Sequence, residues 1–97
     1  MPAVEGDVDS MRDDASIERA MAEHGDAVWR VCLMRLGSRA DAQDAFQETF
    51  LKYATHDKVA FQGAEHERAW LLRVASNHCV DMLRSRSYAT ESLDELG

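Results

Sequence analysis

The sequence predicts an all-α fold: a compact bundle of three main helices, about 16–36, 39–56 and 65–87, with flexible acidic tails. Three observations predict it. The lone proline is Pro2 and the five glycines are scattered, so nothing breaks the long stretches rich in alanine, leucine, arginine and glutamate. Apolar residues recur at three- and four-residue steps, the helical period. With 97 residues, 45% of them hydrophobic, the chain closes a single modest core and has no room for an elaborate active site.

The first helix is expected from Ser16, its N-cap, to Leu36. Its apolar face is Ile17, Ala20, Met21, Val28, Val31 and Cys32, joined by Trp29, Leu33 and Leu36. Gly25 interrupts it, at up to about 1 kcal/mol relative to alanine. Gly37 supplies the stop, and Ser38 with Asp41 forms a capping-box variant that opens the second helix at Arg39. Ala42, Ala45, Phe46, Thr49, Phe50 and Tyr53 share its inner face. Asp44, Gln47, Glu48 and Leu51 follow the i, i+3, i+4, i+7 rule on another face, which taken alone reads as ordinary solvated surface.

Periodicity breaks over "THDKVAFQGAEHE", a loop of about ten residues in which Phe61, on its own, reads as a pin to the core. In the third helix, Leu71, Leu72, Ala75, Cys79, Met82 and Leu83 gather in one core-facing arc. The opposite arc presents Arg73, Asn77 and Arg84 at i, i+4 and i+11, with Trp70 one turn before Arg73. Arginine grips phosphate through a planar fork of donors, asparagine hydrogen-bonds base edges, and an indole stacks on bases. Such a row suits unpaired or locally opened nucleic acid, although exposed arginines and asparagines are more often simply solvated.

The formal charge of −7 opposes nucleic-acid binding in sum, but it is unevenly spread. Residues 1–14 carry −4 and 89–97 carry −3, whereas 68–88 carry +3. The boundaries expected from this are an acidic N-terminal tail at 1–15, a folded domain at 16–88 and an acidic segment at 89–97. No apolar run suggests a membrane span and the acidic N-terminus lacks the order of a signal peptide, so a cytoplasmic protein is expected. Cys32 and Cys79 lack CxxC spacing and read as small buried hydrophobes; the dispersed histidines predict no metal site.

Two motifs taken together, "DAQDAFQETFLKYA" at 41–54 and "AWLLRVASNHCVDMLRSR" at 69–86, joined by a loop of this length, resemble region 2 of bacterial sigma-70 family sigma factors, specifically the extracytoplasmic-function (ECF) group. The resemblance covers about residues 17–88. It implies a transcription initiation factor domain, not an enzyme and without a cofactor, that docks on core RNA polymerase and recognises the promoter minus-ten element as single-stranded DNA. By similarity, Asp44, Gln47, Glu48 and Leu51 match the face that meets the clamp helices of the largest catalytic subunit. Trp70, Arg73 and Asn77 match positions that contact the non-template strand of the minus-ten element, with Arg84 continuing the row. Phe61, Gln62, Gly63 and His66 match the loop that accepts a flipped-out base, with Glu65 and Glu67 as acids beside it. The resemblance also raises an anti-sigma factor as a partner, and it implies a second helical domain reading the minus-35 element, to which 89–97 would begin the linker. Two other readings stand against it: a helical protein-protein interaction or regulatory module without DNA binding, and a redox- or metal-responsive regulator.

Overall fold

The computed structural model describes the backbone of residues 11–96 and the side chains as far as Arg86. Among the described residues three helices make up the architecture: α1 Asp14–Leu36, α2 Arg39–Thr55 and α3 Ala64–Leu96. Each packs against both others, so the core is a three-sided seam. Among the described residues no helix is long and apolar enough to cross a membrane. The first ten residues, most of the expected N-terminal tail, lie outside the described residues.

The helix ends follow local chemistry, with two displacements. α1 starts two residues early because Asp13, not Ser16, is its N-cap: the Asp13 carboxylate accepts a 2.8 Å hydrogen bond from the Ser16 N–H, which makes Ser16 the third helical residue. An ionised cap also gains from the positive end of the helix dipole, which a hydroxyl does not. Gly37 ends α1 as expected, at φ 66°, with its N–H on the Leu33 carbonyl, and Ser38 caps α2 by accepting from the Asp41 N–H. α3 continues to Leu96, beyond the expected end at 87. No glycine or proline stands between Gly63 and Gly97, and alanine, leucine and glutamate recur through 89–96, so no local signal stops it.

Small side chains let the helices approach closely. Ala20, Val28, Cys32 and Leu36 of α1 meet Ala42, Ala45, Phe50 and Tyr53 of α2 and Leu71, Ala75 and Cys79 of α3. Leu72 and Met82 pack at the margin of this core, but Leu83, expected within it, is 41% exposed. Cys79 is the last buried side chain of α3 among those described, so beyond it little remains for a leucine to pack against. Met21 of α1 is likewise exposed. Gly25 leaves α1 unbroken; it is buried beside Phe46, whose ring lies 3.7 Å from where a Cβ would sit.

Candidate functional site

The end of α2, the loop at 56–63 and the first turns of α3 meet in an aromatic cluster. Phe61 stacks on Tyr53 with ring centroids 6.0 Å apart and planes 13° from parallel. Trp70 meets Tyr53, His56 and Phe61 edge-on or tilted at 6.2, 5.9 and 5.7 Å. Trp70 is therefore half-buried rather than free on the outer arc, where the helical period alone places it. This contact immobilises the indole while leaving part of it accessible, the condition a stacking platform needs.

His66 closes the loop from the other side. Its Nδ1 accepts a 3.1 Å hydrogen bond from the Gln62 backbone N–H, so the ring's own proton lies on Nε2 when the imidazole is neutral, and its edge lies against Phe61 at 5.4 Å. Gly63 connects loop to helix at φ 151°, a backbone setting that L side chains rarely adopt, although open space surrounds it. Gln62, Gly63 and His66 are exposed and Phe61 is half-buried. Arg12 covers the cluster from outside, its guanidinium 4.5 Å from the Tyr53 ring centre and 5.1 Å from that of Phe61.

Beyond Trp70, α3 presents Arg73, Asn77 and Arg84, all exposed. At 1.5 Å rise per residue the two arginines stand about 16 Å apart along the axis. Arg86, by contrast, is tied back to Asp41 at the start of α2. The candidate face of α2 is also outward: Asp44 and Gln47 are exposed, Glu48 is half-buried, and Leu51 is 53% exposed between them. Its opposite side holds Phe46 against Trp29 and Phe50, which keeps these four residues turned away from the core.

The comparison with known families decides what this arrangement belongs to, because the family model described as sigma-70 region 2 matches residues 20–88, all but the ends of the described chain. The chain belongs to the sigma-70 region 2 family. This sigma-70 region 2 domain is similar to the ECF RNA polymerase sigma factor SigL of Mycobacterium tuberculosis, at 38% identity over 76 residues, 77% of the chain and 43% of that relative. It is 31% identical over 97 residues to the ECF RNA polymerase sigma factor BldN of Streptomyces coelicolor, covering 88% of the chain and 36% of the relative. It is also 31% identical over 75 residues to the ECF RNA polymerase sigma factor SigE of Mycolicibacterium smegmatis, covering 73% and 27%. The chain thus spans less than half the length of each. No solved structure matches it.

Within this sigma-70 region 2 domain, Glu67 departs most from its expected setting. Instead of lining the loop as a free acid, it is buried, accepting from the Tyr53 hydroxyl at 2.7 Å, from Arg19 at 3.1 Å and from His24 Nε2 at 3.0 Å. One carboxylate therefore joins all three helices. Burial pushes its carboxyl up, but the Tyr53 and Arg19 hydrogen bonds and the Arg19 charge outweigh burial and hold it below the ordinary value. Burial and the bond to Glu67 push Tyr53 up, which keeps its hydroxyl a donor. The signal was present in the spacing: Glu67, Leu71, Ala75 and Cys79 are four residues apart in one buried line. Glu23, His24 and Glu67 bring three metal-ligating atoms within 4.8 Å of one another, but Arg19 already bonds both carboxylates, at 3.1 Å each, and places a positive charge between them.

Cys32 and Cys79 are free and buried, in contact across the α1–α3 seam. Burial, with Cys79 beside it, pushes the Cys32 thiol up to about 12, and burial raises Cys79 as well. They are the small core residues that their positions in the sequence suggest.

Proposed function

We propose that this domain is part of a cytoplasmic transcription initiation factor that docks on core RNA polymerase and receives the promoter minus-ten element as single-stranded DNA. Polymerase meets Asp44, Gln47, Glu48 and Leu51, where acids and an amide surround an exposed leucine and suit a partly basic helical partner such as the clamp helices of the largest catalytic subunit. The non-template strand follows Trp70, Arg73, Asn77 and Arg84, and a flipped base enters beside Phe61, Gln62, Gly63 and His66. The domain works by binding and not by catalysis. Unstacking a base costs a few kcal/mol, and stacking at about 1 to 3 kcal/mol per base with pocket hydrogen bonds offsets it.

The observation that carries this reading is the continuity of one surface. A half-buried indole, packed against His56 and Phe61 of the 56–63 loop, stands one turn before an exposed arginine and two turns before an exposed carboxamide on the same helix. Membership of the sigma-70 region 2 family supports the same conclusion.

Co-purification with core RNA polymerase, followed by binding of single-stranded minus-ten oligonucleotides, tests it. Asn77→Ala is expected to alter preference at one base, whereas Arg73→Ala weakens binding to all sequences and lowers the salt slope by about 0.7 for each lost phosphate contact. Glu48→Lys is expected to impair capture by polymerase without unfolding the domain. Equal losses on every oligonucleotide from both α3 variants would refute the division of roles. Unchanged affinities in both would favour a protein-protein module, a reading that the 85% exposed Met34 and the net charge of −7 keep in view.

A further inference from the structure

Arg12 lies outside the span that matches sigma-70 region 2, yet it holds the loop on which base capture depends. α2 ends at His56 with φ −99°, without the left-handed glycine that would turn the chain and satisfy the last carbonyls. Arg12 supplies those partners from 41 residues away. Its backbone N–H donates to the Ala54 carbonyl at 2.9 Å, and its Nε donates to the Tyr53 carbonyl at 2.8 Å. Its Nη2 then reaches into the loop, donating to the His56 carbonyl at 2.9 Å and the Val59 carbonyl at 2.8 Å. The carbon of the same guanidinium sits over the rings of Tyr53 and Phe61.

The two ends of the loop are tied to the helices, His56 to the Lys52 carbonyl and the Gly63 carbonyl to the Glu67 N–H, and Phe61 and His56 pack on Trp70. Within 57–62 the backbone has fewer ties: besides Arg12 on Val59, the hydrogen bonds among the described residues are the Val59 N–H on the His56 carbonyl, at 3.3 Å, and the Gln62 N–H on His66. We propose that Arg12 is a positioning residue for base capture: it locks the 56–63 loop and the Phe61 ring in the shape that receives the flipped base, without touching the DNA. This rests on the reading that the loop accepts a base. A platform fixed beforehand spares the ordering cost that a mobile loop pays on binding. Lysine cannot substitute, since an ammonium has neither the planar fork to span several carbonyls nor a face to lay on aromatic rings.

The test uses the chain in complex with core RNA polymerase and a pool of randomised single-stranded oligonucleotides selected on the wild-type complex, then varied one position at a time. Arg12→Ala and Arg12→Lys are both expected to cut discrimination at the captured base about fivefold or more, because a loop without one fixed shape no longer aims its hydrogen bonds at a single base edge, while affinity for a homopolymer of a base that is not selected changes less than about twofold. Hydrogen exchange on the same variants is expected to accelerate in the loop amides and to stay unchanged at Leu71, Ala75 and Cys79 in the core. Arg12→Lys retains the charge, so full discrimination in that variant would overturn the proposal even if Arg12→Ala failed to fold. Unchanged exchange in the loop would overturn the clamp itself. A loosened loop in a protein whose wild-type complex discriminates no base would instead overturn the base-capture reading, and the positioning role with it.

Discussion

Replacing Glu67 with alanine removes the acceptor shared by three donors on two other helices, and the structure permits the cost to be worked out. Tyr53 and His24 are buried, so the hydroxyl loses its partner away from water and the imidazole keeps only the more distant Glu23 carboxylate, at 3.6 Å, at a cost of about 1–3 kcal/mol apiece. Arg19 contributes little, because its side chain is 50% exposed and regains water when the pair is broken. Relief of the carboxylate's own desolvation offsets part of the total. The expected loss is about 3 kcal/mol, within the range for removing one partner of a buried charged network. Urea denaturation followed by circular dichroism measures it, and for a domain of this size the melting temperature should fall by about 4–8 °C per kcal/mol. Tyr53→Phe in both backgrounds completes a cycle whose coupling should reach about 1 kcal/mol or more if the hydroxyl and the carboxylate truly depend on one another. A loss below about 1 kcal/mol for Glu67→Ala, or additive single effects, would refute the claim that this carboxylate joins the three helices.

The same carboxyl predicts a pH dependence. Its folded value lies below the ordinary 4.5, so its contribution is complete above 4.5 and is lost as the pH falls through the folded value. Thermal melts should therefore fall more steeply below pH 4.5 in the wild type than in Glu67→Gln, and parallel curves would contradict this. Gly25→Ala should raise stability by up to about 1 kcal/mol in urea, because α1 is regular there and the added methyl meets Phe46 at ordinary contact distance; destabilisation would mean that the α1–α2 seam is already full. With its thiol pushed up to about 12 from 9.0, Cys32 should hold about a thousandfold less thiolate at neutral pH than a free cysteine, and alkylation of the folded protein should be correspondingly slow. Rapid alkylation of either cysteine would revive a redox-responsive role.

Most of the scaffold was legible because its signals are short-range. A period of 3.6 residues, a glycine at 37 and a serine at 38 act over one or two turns, and they mark the α1–α2 corner and the inner face of α2 without reference to anything distant. The outward row of Arg73, Asn77 and Arg84 follows from the same period, since it lies opposite Leu71, Ala75 and Cys79. Trp70 was legible only in part. Its place on the helix follows from the period, but its burial depends on where Phe61 and Tyr53 arrive from other segments. Ser16 and Asp13 are both competent caps, and Asp13 prevails through a charge at the dipole that residue-type ranking does not separate.

The sequence by itself therefore determined the class, the three helices of the described residues, most of their ends and the side chains turned outward on α2 and α3. Only the tertiary structure decided which donors Glu67, already on the inner line by its spacing, meets there and that Arg12 grips the far end of α2. Both depend on partners 41 to 48 residues away, Tyr53 and His56 for Arg12 and Arg19 for Glu67. An apolar side chain is buried for its own sake, whatever it meets, and so leaves a periodic trace. A charged group enters a protein interior only where particular donors or acceptors await it, and those are known only once the helices have been brought together.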